Sequence, residues 1–526
     1  MLGFGQEDAW VYFTDKPSAG TYLSNPLTML SQKSLDRRTA QNIALDNKDV
    51  PIHASYRNQV ANSAGIIVMA KSKWMNALHV RGTVTAIQNL QNLAFVASVD
   101  FANDALNSNG SGRAQASNKN KQVDKYQESM VTFSYGNSNN QIQMLNGHLL
   151  HQQDYTGAGK TIAVLDAGFP GVDTAAPFDR LHDNNLILGG YNFVNNNANF
   201  YTGGSHGTLV LSAMGGYVAS QLVGTAPDAH YYLFVTEDIS SENPVEESYW
   251  VAAAEVADSL GVDIINTSLG YFGYDNPNYS YTYADMNGTT SFIARGADIA
   301  FSRGMICVAS AGNSGGTANP NISTPADAVH TLAVGAVTAS ENYATFSSIG
   351  PSFDNRVKPD VAAQGQAAVL ADELGTIITA NGTSFSGPIT AGMVACLWQA
   401  LPGKTNAEII QLIKESANLY NNPTNQLGYG IPDFNLAVST ALGLVDTGSN
   451  SFIVYPNPAG DFVHVGFPGD LSIGDILLYN SLGQLVLNQR ISISNNDLSV
   501  THLPQGLYLY HIVSGETTHT GKLIKK

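Results

Sequence analysis

Between about residues 141 and 444, short apolar runs recur at strand length, at 161–165, 231–235, 262–265, 306–309 and 331–334. Helical stretches separate them, among them 248–260 and 291–302. Strands that are apolar almost throughout, alternating with helices, predict a parallel sheet buried on both faces, since a sheet buried on one face would alternate apolar with polar. The region reads as a three-layer α/β domain. Its flanks read otherwise. Upstream, 9–13 and 94–99 predict strands and 84–93 a helix. Downstream, 462–465, 476–479, 484–487 and 507–512 alternate apolar and polar residues, with Gly483, Pro504 and Gly506 between them. That pattern predicts a small antiparallel β-sandwich of about 75 residues.

Polar connections separate the parts. Asn107-Ser108-Asn109-Gly110-Ser111-Gly112 opens a polar stretch reaching Lys125, and Asp446-Thr447-Gly448-Ser449-Asn450 follows the α/β region. Such segments bury too little apolar surface to order themselves. The expected organisation is an N-terminal α+β region at 1–105, a linker or processing segment at 106–140, the α/β domain at 141–444, a linker at 445–451 and the sandwich at 452–526.

At 526 residues the chain is too long for one ordinary core. The net charge of −17 arises from 42 acidic against 25 basic residues without a long acidic run, which argues against a nucleic-acid partner. No segment has the roughly 18 uninterrupted apolar residues of a membrane span, so no transmembrane anchor is expected. Cys307 and Cys396 both lie in apolar runs and are expected as small buried hydrophobes. No loop of EF-hand type appears, and a structural calcium ion has no assignable ligands.

Four short motifs carry chemistry. The strand at 161–165 runs into Asp166-Ala167-Gly168, which puts a carboxylate beyond the carboxyl end of a parallel strand, where ligands gather in such sheets. Forty residues later (206 − 166), Gly203-Gly204-Ser205-His206-Gly207-Thr208 places a histidine at a predicted helix start, suited to proton transfer. Val308-Ala309-Ser310-Ala311-Gly312-Asn313 ends an apolar strand in an asparagine amide suited to an oxyanion. Asn381-Gly382-Thr383-Ser384-Phe385-Ser386-Gly387-Pro388, followed by the largely apolar 389–401, predicts a serine where a loop gives way to a helix with a proline in its first turn. Each alone has a plainer reading: a loop cap, a structural histidine, a turn and a helix N-cap. Together, and in the order Asp, His, Ser, they form one of the known orders of a catalytic triad.

Residues 141–444 resemble a subtilisin-family (subtilase) serine peptidase through Asp166-Ala167-Gly168, His206-Gly207-Thr208, Ala311-Gly312-Asn313 and Gly382-Thr383-Ser384. Gly224-Thr225-Ala226-Pro227, Asn266-Thr267-Ser268-Leu269-Gly270 and Lys358-Pro359-Asp360-Val361 support the match. The resemblance implies that Ser384 attacks the scissile carbonyl, His206 takes and returns the proton, Asp166 orients His206 and Asn313 stabilises the oxyanion. It further implies that Ser268, Leu269 and Gly270 form an edge strand pairing with extended substrate. Ser310, Ala311 and Gly312 would line one wall of the pocket for the residue before the cut. No organic cofactor is implied. Ala167 stands where Ser or Thr is usual, which removes one polar contact, and Phe385 stands where Met is usual, which removes an oxidation target beside the nucleophile.

Residues 1–105 resemble the propeptides that precede such peptidases; an accessory domain kept in the working enzyme is the alternative. Tyr455-Pro456-Asn457-Pro458-Ala459, Tyr479-Asn480-Ser481-Leu482-Gly483-Gln484, Gly506-Leu507-Tyr508 and Gly521-Lys522-Leu523-Ile524-Lys525-Lys526 resemble the C-terminal sorting domain of the Bacteroidetes type IX secretion system, with a generic β-sandwich module as the alternative. That resemblance implies export to the medium or cell surface and the secretion machinery as a partner, besides polypeptide substrates. Met-Leu-Gly-Phe-Gly-Gln at the N-terminus has neither a basic n-region nor a long apolar h-region, so a trimmed or mis-started chain is expected. Two other functions fit the scaffold: an inactive binding protein, which loss of any of the four motif residues would have signalled, and an enzyme of the same triad acting on esters.

Overall fold

Alternate residues of the first strand serve two different cores. In β1 (Glu7–Phe13), Ala9, Val11 and Phe13 pack into a cluster with Val60, Leu78, Val80 and Ile87, whereas Trp10 joins Trp250, Phe292 and Ala297 in the core beneath the next domain. The two-residue period of a strand produces that division. β1 lies in a four-stranded sheet with β2 (Ile66–Ser72), β3 (Ala77–Gly82) and β4 (Val96–Phe101), in the order β2-β3-β1-β4. The β1–β3, β1–β4 and β2–β3 pairs are antiparallel.

The structure is a computed structural model describing residues 5–107, 133–442, 452–467, 471–492, 496–515 and 517–526. It divides into two units, Met1–Asn435 and Leu436–Lys526. Most of the expected 106–140 linker and all of 445–451 lie outside the described residues. Residues 133–140 are folded: Tyr135 is buried and its hydroxyl meets His151 Nδ1 at 2.9 Å.

The α/β region holds the predicted parallel sheet. Its strands are β5 (Thr161–Asp166), β6 (Ile187–Asn192), β9 (His230–Val235), β10 (Ile264–Thr267), β11 (Ile306–Ser310), β12 (Leu332–Val337) and β13 (Val361–Gln364). A short hairpin, β7 (Tyr217–Val218) with β8 (Leu222–Val223), interrupts the series. The order β13-β12-β11-β10-β5-β9-β6 puts β5 between β9 and β10, and the pairs are parallel. All six residues of β5 are buried, as expected for a strand covered on both faces. Helices Val245–Leu260 and Phe292–Ser302 cover one face together with Trp10 and Trp74. Helices His206–Gly215 and Thr383–Ala400 pack against each other on the site side, and β14 (Ala368–Ala371) pairs with β15 (Ile377–Ala380) nearby.

Two strands begin two residues later than the apolar pattern indicates. The 262–265 run becomes Ile264–Thr267, because Gly261 caps the preceding helix at φ +82° and Asp263 turns to accept the Thr161 amide at 2.9 Å. The 94–99 run becomes Val96–Phe101, after a 3-10 turn at Leu90–Asn92 ends the helix predicted over 84–93.

In the second unit the predicted sandwich forms from two antiparallel sheets. β16 (Ile453–Tyr455), β17 (Phe462–Gly466) and β20 (Asp497–Ser499) make one; β18 (Ile473–Tyr479), β19 (Leu485–Ser492), β21 (Gly506–Ser514) and β22 (Thr517–Lys525) make the other. Val463, Val465, Ile476, Leu478, Ile512 and Leu523 share the core between them.

Candidate functional site

Two of the four motif side chains, and Ser268 from a supporting motif, stand at the carboxyl ends of neighbouring strands. Asp166 ends β5, Ser268 follows β10 and Asn313 follows β11. Two facing chain segments hold Asp166 and His206 at contact distance. Gly168 and Gly203 form an antiparallel bridge, and an added Cβ on Gly168 would lie 2.0 Å from the Thr202 carbonyl. Gly168 has φ +145° and Gly203 φ +84°, so both the spacing and the backbone require glycine.

His206 Nδ1 meets Asp166 Oδ1 at 2.7 Å, and the carboxylate is fully buried. The Asp166 charge raises the His206 pKa above its usual 6.5; burial works against that shift, and the Asp166 hydrogen bond and the Glu237 charge add to it. Asp166 Oδ1 also accepts the Ala167 amide at 2.8 Å, whereas Asp166 Oδ2 is buried with no hydrogen-bond partner among the described residues.

Ser384 is the second residue of the Thr383–Ala400 helix, so its hydroxyl stands at the N-terminal end with the free amides. Pro388 lies in the second turn and not, as the sequence suggested, in the first. The difference has a local consequence. A proline four residues after Ser384 cannot donate to the Ser384 carbonyl, and the Ser268 hydroxyl donates to that carbonyl instead, at 2.9 Å. The Ser384 hydroxyl in turn donates to the Ser268 carbonyl at 3.2 Å. Asp166 and His206 are thus brought together, while Ser384 points to Ser268 and makes no hydrogen bond to His206. Phe385 is buried, with its ring centroid 6.0 Å from that of His206.

Asn313 is oriented by a residue to which the motif reading assigned no role. Its Oδ1 accepts both the Thr383 amide and the Thr383 hydroxyl at 2.9 Å. With the carbonyl end occupied, the amide end is left as the donor. Thr383 Oγ1 also accepts the Gly312 amide at 3.2 Å, which ties the two loops together.

Ser268, Leu269 and Gly270 follow the end of β10 and belong to no strand, where the resemblance implied an edge strand. Ser323 faces them: an added Cβ on Gly270 would lie 2.2 Å from Ser323 Oγ, and one on Gly312 would lie 3.2 Å from it. The 319–324 loop, whose course the sequence does not fix, is held by Tyr271–Thr324 backbone bonds of 2.9 and 3.2 Å and by Ser323 donating to the Ala311 carbonyl. Ser310 is anchored by its hydroxyl on the Thr267 carbonyl at 3.2 Å. Beside His206, Ala167, Ser268 and Leu269 opens a cavity of about 470 Å³ lined also by Glu237, Glu242, Glu246 and Asp275. Burial raises the Glu237 and Glu246 carboxyls well above the usual range.

Cys307 and Cys396 are free and buried. Among the described residues no group of three or more His, Cys, Asp or Glu is disposed to hold a metal ion, and no helix is long and apolar enough to cross a membrane.

Comparison with known proteins adds three matches. Residues 157–430 match the subtilase family, residues 8–122 the Peptidase S8 propeptide domain of Bacteroidota, and residues 453–526 the secretion system C-terminal sorting domain. Subtilisin NAT of Bacillus subtilis subsp. natto is 31% identical over 284 residues, covering 53% of this chain and 66% of that protein, just under two thirds of its length. Subtilisin of Bacillus pumilus is 30% identical over 279 residues, covering 52% of this chain and 90% of that protein. The crystal structure of MycP1 with its N-terminal propeptide removed aligns with a TM-score of 0.46 at 22% identity, covering 57% of this chain and 96% of that one.

Proposed function

The chain belongs to the subtilase family, whose match covers just over half of it, and from that membership we propose that it is a serine endopeptidase made as a precursor and exported through its C-terminal domain. Ser384 is the nucleophile, His206 the general base and then acid, and Asp166 the group that fixes the His206 tautomer and stabilises the imidazolium. Rotation of the Ser384 side chain away from the Ser268 carbonyl brings its hydroxyl to His206 Nε2; catalytic hydrogen bonds often form only with substrate present. The Asn313 amide and the backbone N–H of Ser384 receive the oxyanion. Extended substrate pairs with Ser268, Leu269 and Gly270, and Ser310, Ala311, Gly312 and Ser323 surround the side chain before the cut. These steps need no organic cofactor.

The observation that carries this reading is the buried Asp166 carboxylate 2.7 Å from His206, at the strand ends where Asn313 is oriented by Thr383. Casein and a short ester substrate, compared in wild type and Ser384→Ala, test it. A peptidase hydrolyses both and loses both with the serine. Ester hydrolysis without casein cleavage would favour an esterase on the same scaffold.

Export by the type IX route accounts for the match of residues 453–526 to a sorting domain. Deleting these residues is expected to leave the protein inside the producing cell, and undiminished secretion of the deletion would argue against that route.

A further inference from the structure

The carboxyl edge of the central sheet carries a second chemical feature beside Asp166 and His206, one that the hydrolysis itself does not use. β9 runs parallel to β5 with Val235 opposite Asp166, and the Thr236 amide donates to the Asp166 carbonyl at 3.0 Å. Glu237 follows directly, so it leaves the sheet next to Asp166 and lines the cavity of about 470 Å³ beside His206. Its Oε1 accepts the Tyr271 hydroxyl at 2.7 Å and the Thr236 hydroxyl at 2.9 Å, which fixes the side chain. Its Oε2 has no hydrogen-bond partner among the described residues.

The rest of the cavity has the same sign. Five of the twelve residues lining it are carboxylates, and none is a lysine or arginine. Glu246, in the first turn of the Val245–Leu260 helix, is buried and accepts the Asp238 and Asn243 amides at 2.8 Å each, which pins the loop between them. Among the described residues none of the five enters an ion pair, whereas Asp228, Asp258 and Asp360 elsewhere in the domain each meet an arginine or a lysine. Burial pushes Glu237 up to about 8 and Glu246 up to about 9, and a cation delivered into the cavity would favour their charged forms. Ile239, 71% exposed, and Leu269 line the cavity too. Apolar groups beside an anionic lining suit a side chain with an aliphatic stem and a cationic head.

Extended substrate alternates its side chains between two sides. With the residue before the cut against Ser310, Ala311 and Gly312, the second and fourth residues before the cut face the other way, toward His206 and the cavity. We propose that the cavity is a specificity subsite for lysine or arginine at one of those two positions, with Glu237 Oε2 as the partner of the cationic head. The inference rests on the peptidase reading and adds to it a substrate class, peptides with a basic residue upstream of the cut. The chain itself holds a sequence of matching charge: residues 113–125, between the N-terminal region and the α/β domain, contain Arg113, Lys119, Lys121 and Lys125 against one acid, Asp124, in a chain of net charge −17.

Two peptide series test it, identical except at the second or the fourth residue before the cut, where arginine, norleucine or glutamate stands. Hydrolysis is measured with the wild type, and binding to Ser384→Ala by fluorescence anisotropy. At one of the two positions arginine is expected to exceed norleucine about tenfold or more in kcat/KM and in affinity for Ser384→Ala, with glutamate poorest. Glu237→Gln is expected to bring the arginine-to-norleucine ratio to about threefold or less; a general loss of activity acts on both peptides and leaves the ratio unmoved. Glu242→Gln, which spares the Tyr271 contact, is expected to lower the ratio about threefold. Equal values for arginine and norleucine at both positions overturn the subsite, as does a ratio unchanged in both variants. Preferential binding of the arginine peptide without hydrolysis of any peptide supports the subsite and counts against the peptidase reading alone.

Discussion

Thr383 is expected to act on catalysis only through Asn313. Its hydroxyl donates to Asn313 Oδ1 at 2.9 Å and accepts the Gly312 amide at 3.2 Å, while its own amide donates to the same Oδ1 at 2.9 Å. Thr383→Val keeps the side-chain shape and the amide contact but removes the hydroxyl. One net hydrogen bond is worth about 0.5–1.5 kcal/mol, so kcat is expected to fall about two- to tenfold with KM little changed. Asn313→Ala removes the oxyanion donor itself, and the corresponding loss in subtilisin is about 10²–10³ in kcat. Thr383→Ser restores the hydroxyl and most of the rate. The decisive comparison is the double variant. If Thr383 works by aiming the Asn313 amide, Thr383→Val added to Asn313→Ala changes kcat by no more than about twofold. The assay is steady-state hydrolysis of a chromogenic peptide, with thermal unfolding measured alongside. Equal loss from Thr383→Val in both backgrounds, or a loss confined to KM, would refute the reasoning.

Three further outcomes follow from the same geometry. Because Asp166 raises the His206 pKa, the acid limb of kcat/KM should lie above the usual histidine value of about 6.5, activity falling as pH drops and His206 takes a proton; Asp166→Asn should move the limb down and cut kcat about 10⁴-fold, and an unmoved limb would count against the pairing. Phe385→Met, which puts a thioether beside His206, should make inactivation by dilute peroxide severalfold faster, read by residual activity and by oxidation mapped to residue 385; equal rates would show that other sites control it. Asp360 is buried against Lys358 and Lys414 at 2.7 and 2.6 Å; burial acts to raise its pKa, but the two ammonium groups outweigh it and hold it below 3.8. Its stabilisation is therefore present above that pH and lost as pH falls through the lowered value, and Asp360→Asn should cost about 3–5 kcal/mol in denaturant unfolding at neutral pH, whereas a cost under 1 kcal/mol would mean the lysines find other partners.

The parts of the molecule that follow a period were open to the sequence. The apolar runs marked β5, β9, β11 and β12 because both faces of those strands are buried, and the alternating runs marked the terminal sandwich because one face of each strand is. Strand ends were less open: β10 starts two residues late because Asp263 is engaged with the Thr161 amide, a contact about a hundred residues distant in sequence. Asp166, His206, Asn313 and Ser384 were legible because short motifs surround them. Thr383 stood in its motif without a role, since its partner Asn313 comes from another loop. Ser323 was illegible, since nothing local dictates that the 319–324 loop crosses Tyr271. Pro388 carried a signal that needed only arithmetic: it frees the Ser384 carbonyl four residues earlier, and Ser268 supplies the missing donor. The joint between the N-terminal region and the α/β domain could not be read at all, because Arg37 and Arg38 meet Asp258 across about 220 residues.

The central claim is that Ser384 is a nucleophile activated by His206. Labelling with a fluorophosphonate, followed by intact-mass and peptide analysis, tests it most directly. The account predicts one adduct per chain at Ser384 in the wild type, none in Ser384→Ala, and strongly slowed labelling in His206→Ala. Labelling that persists in Ser384→Ala, or a wild type that hydrolyses peptides without reacting at Ser384, would contradict it.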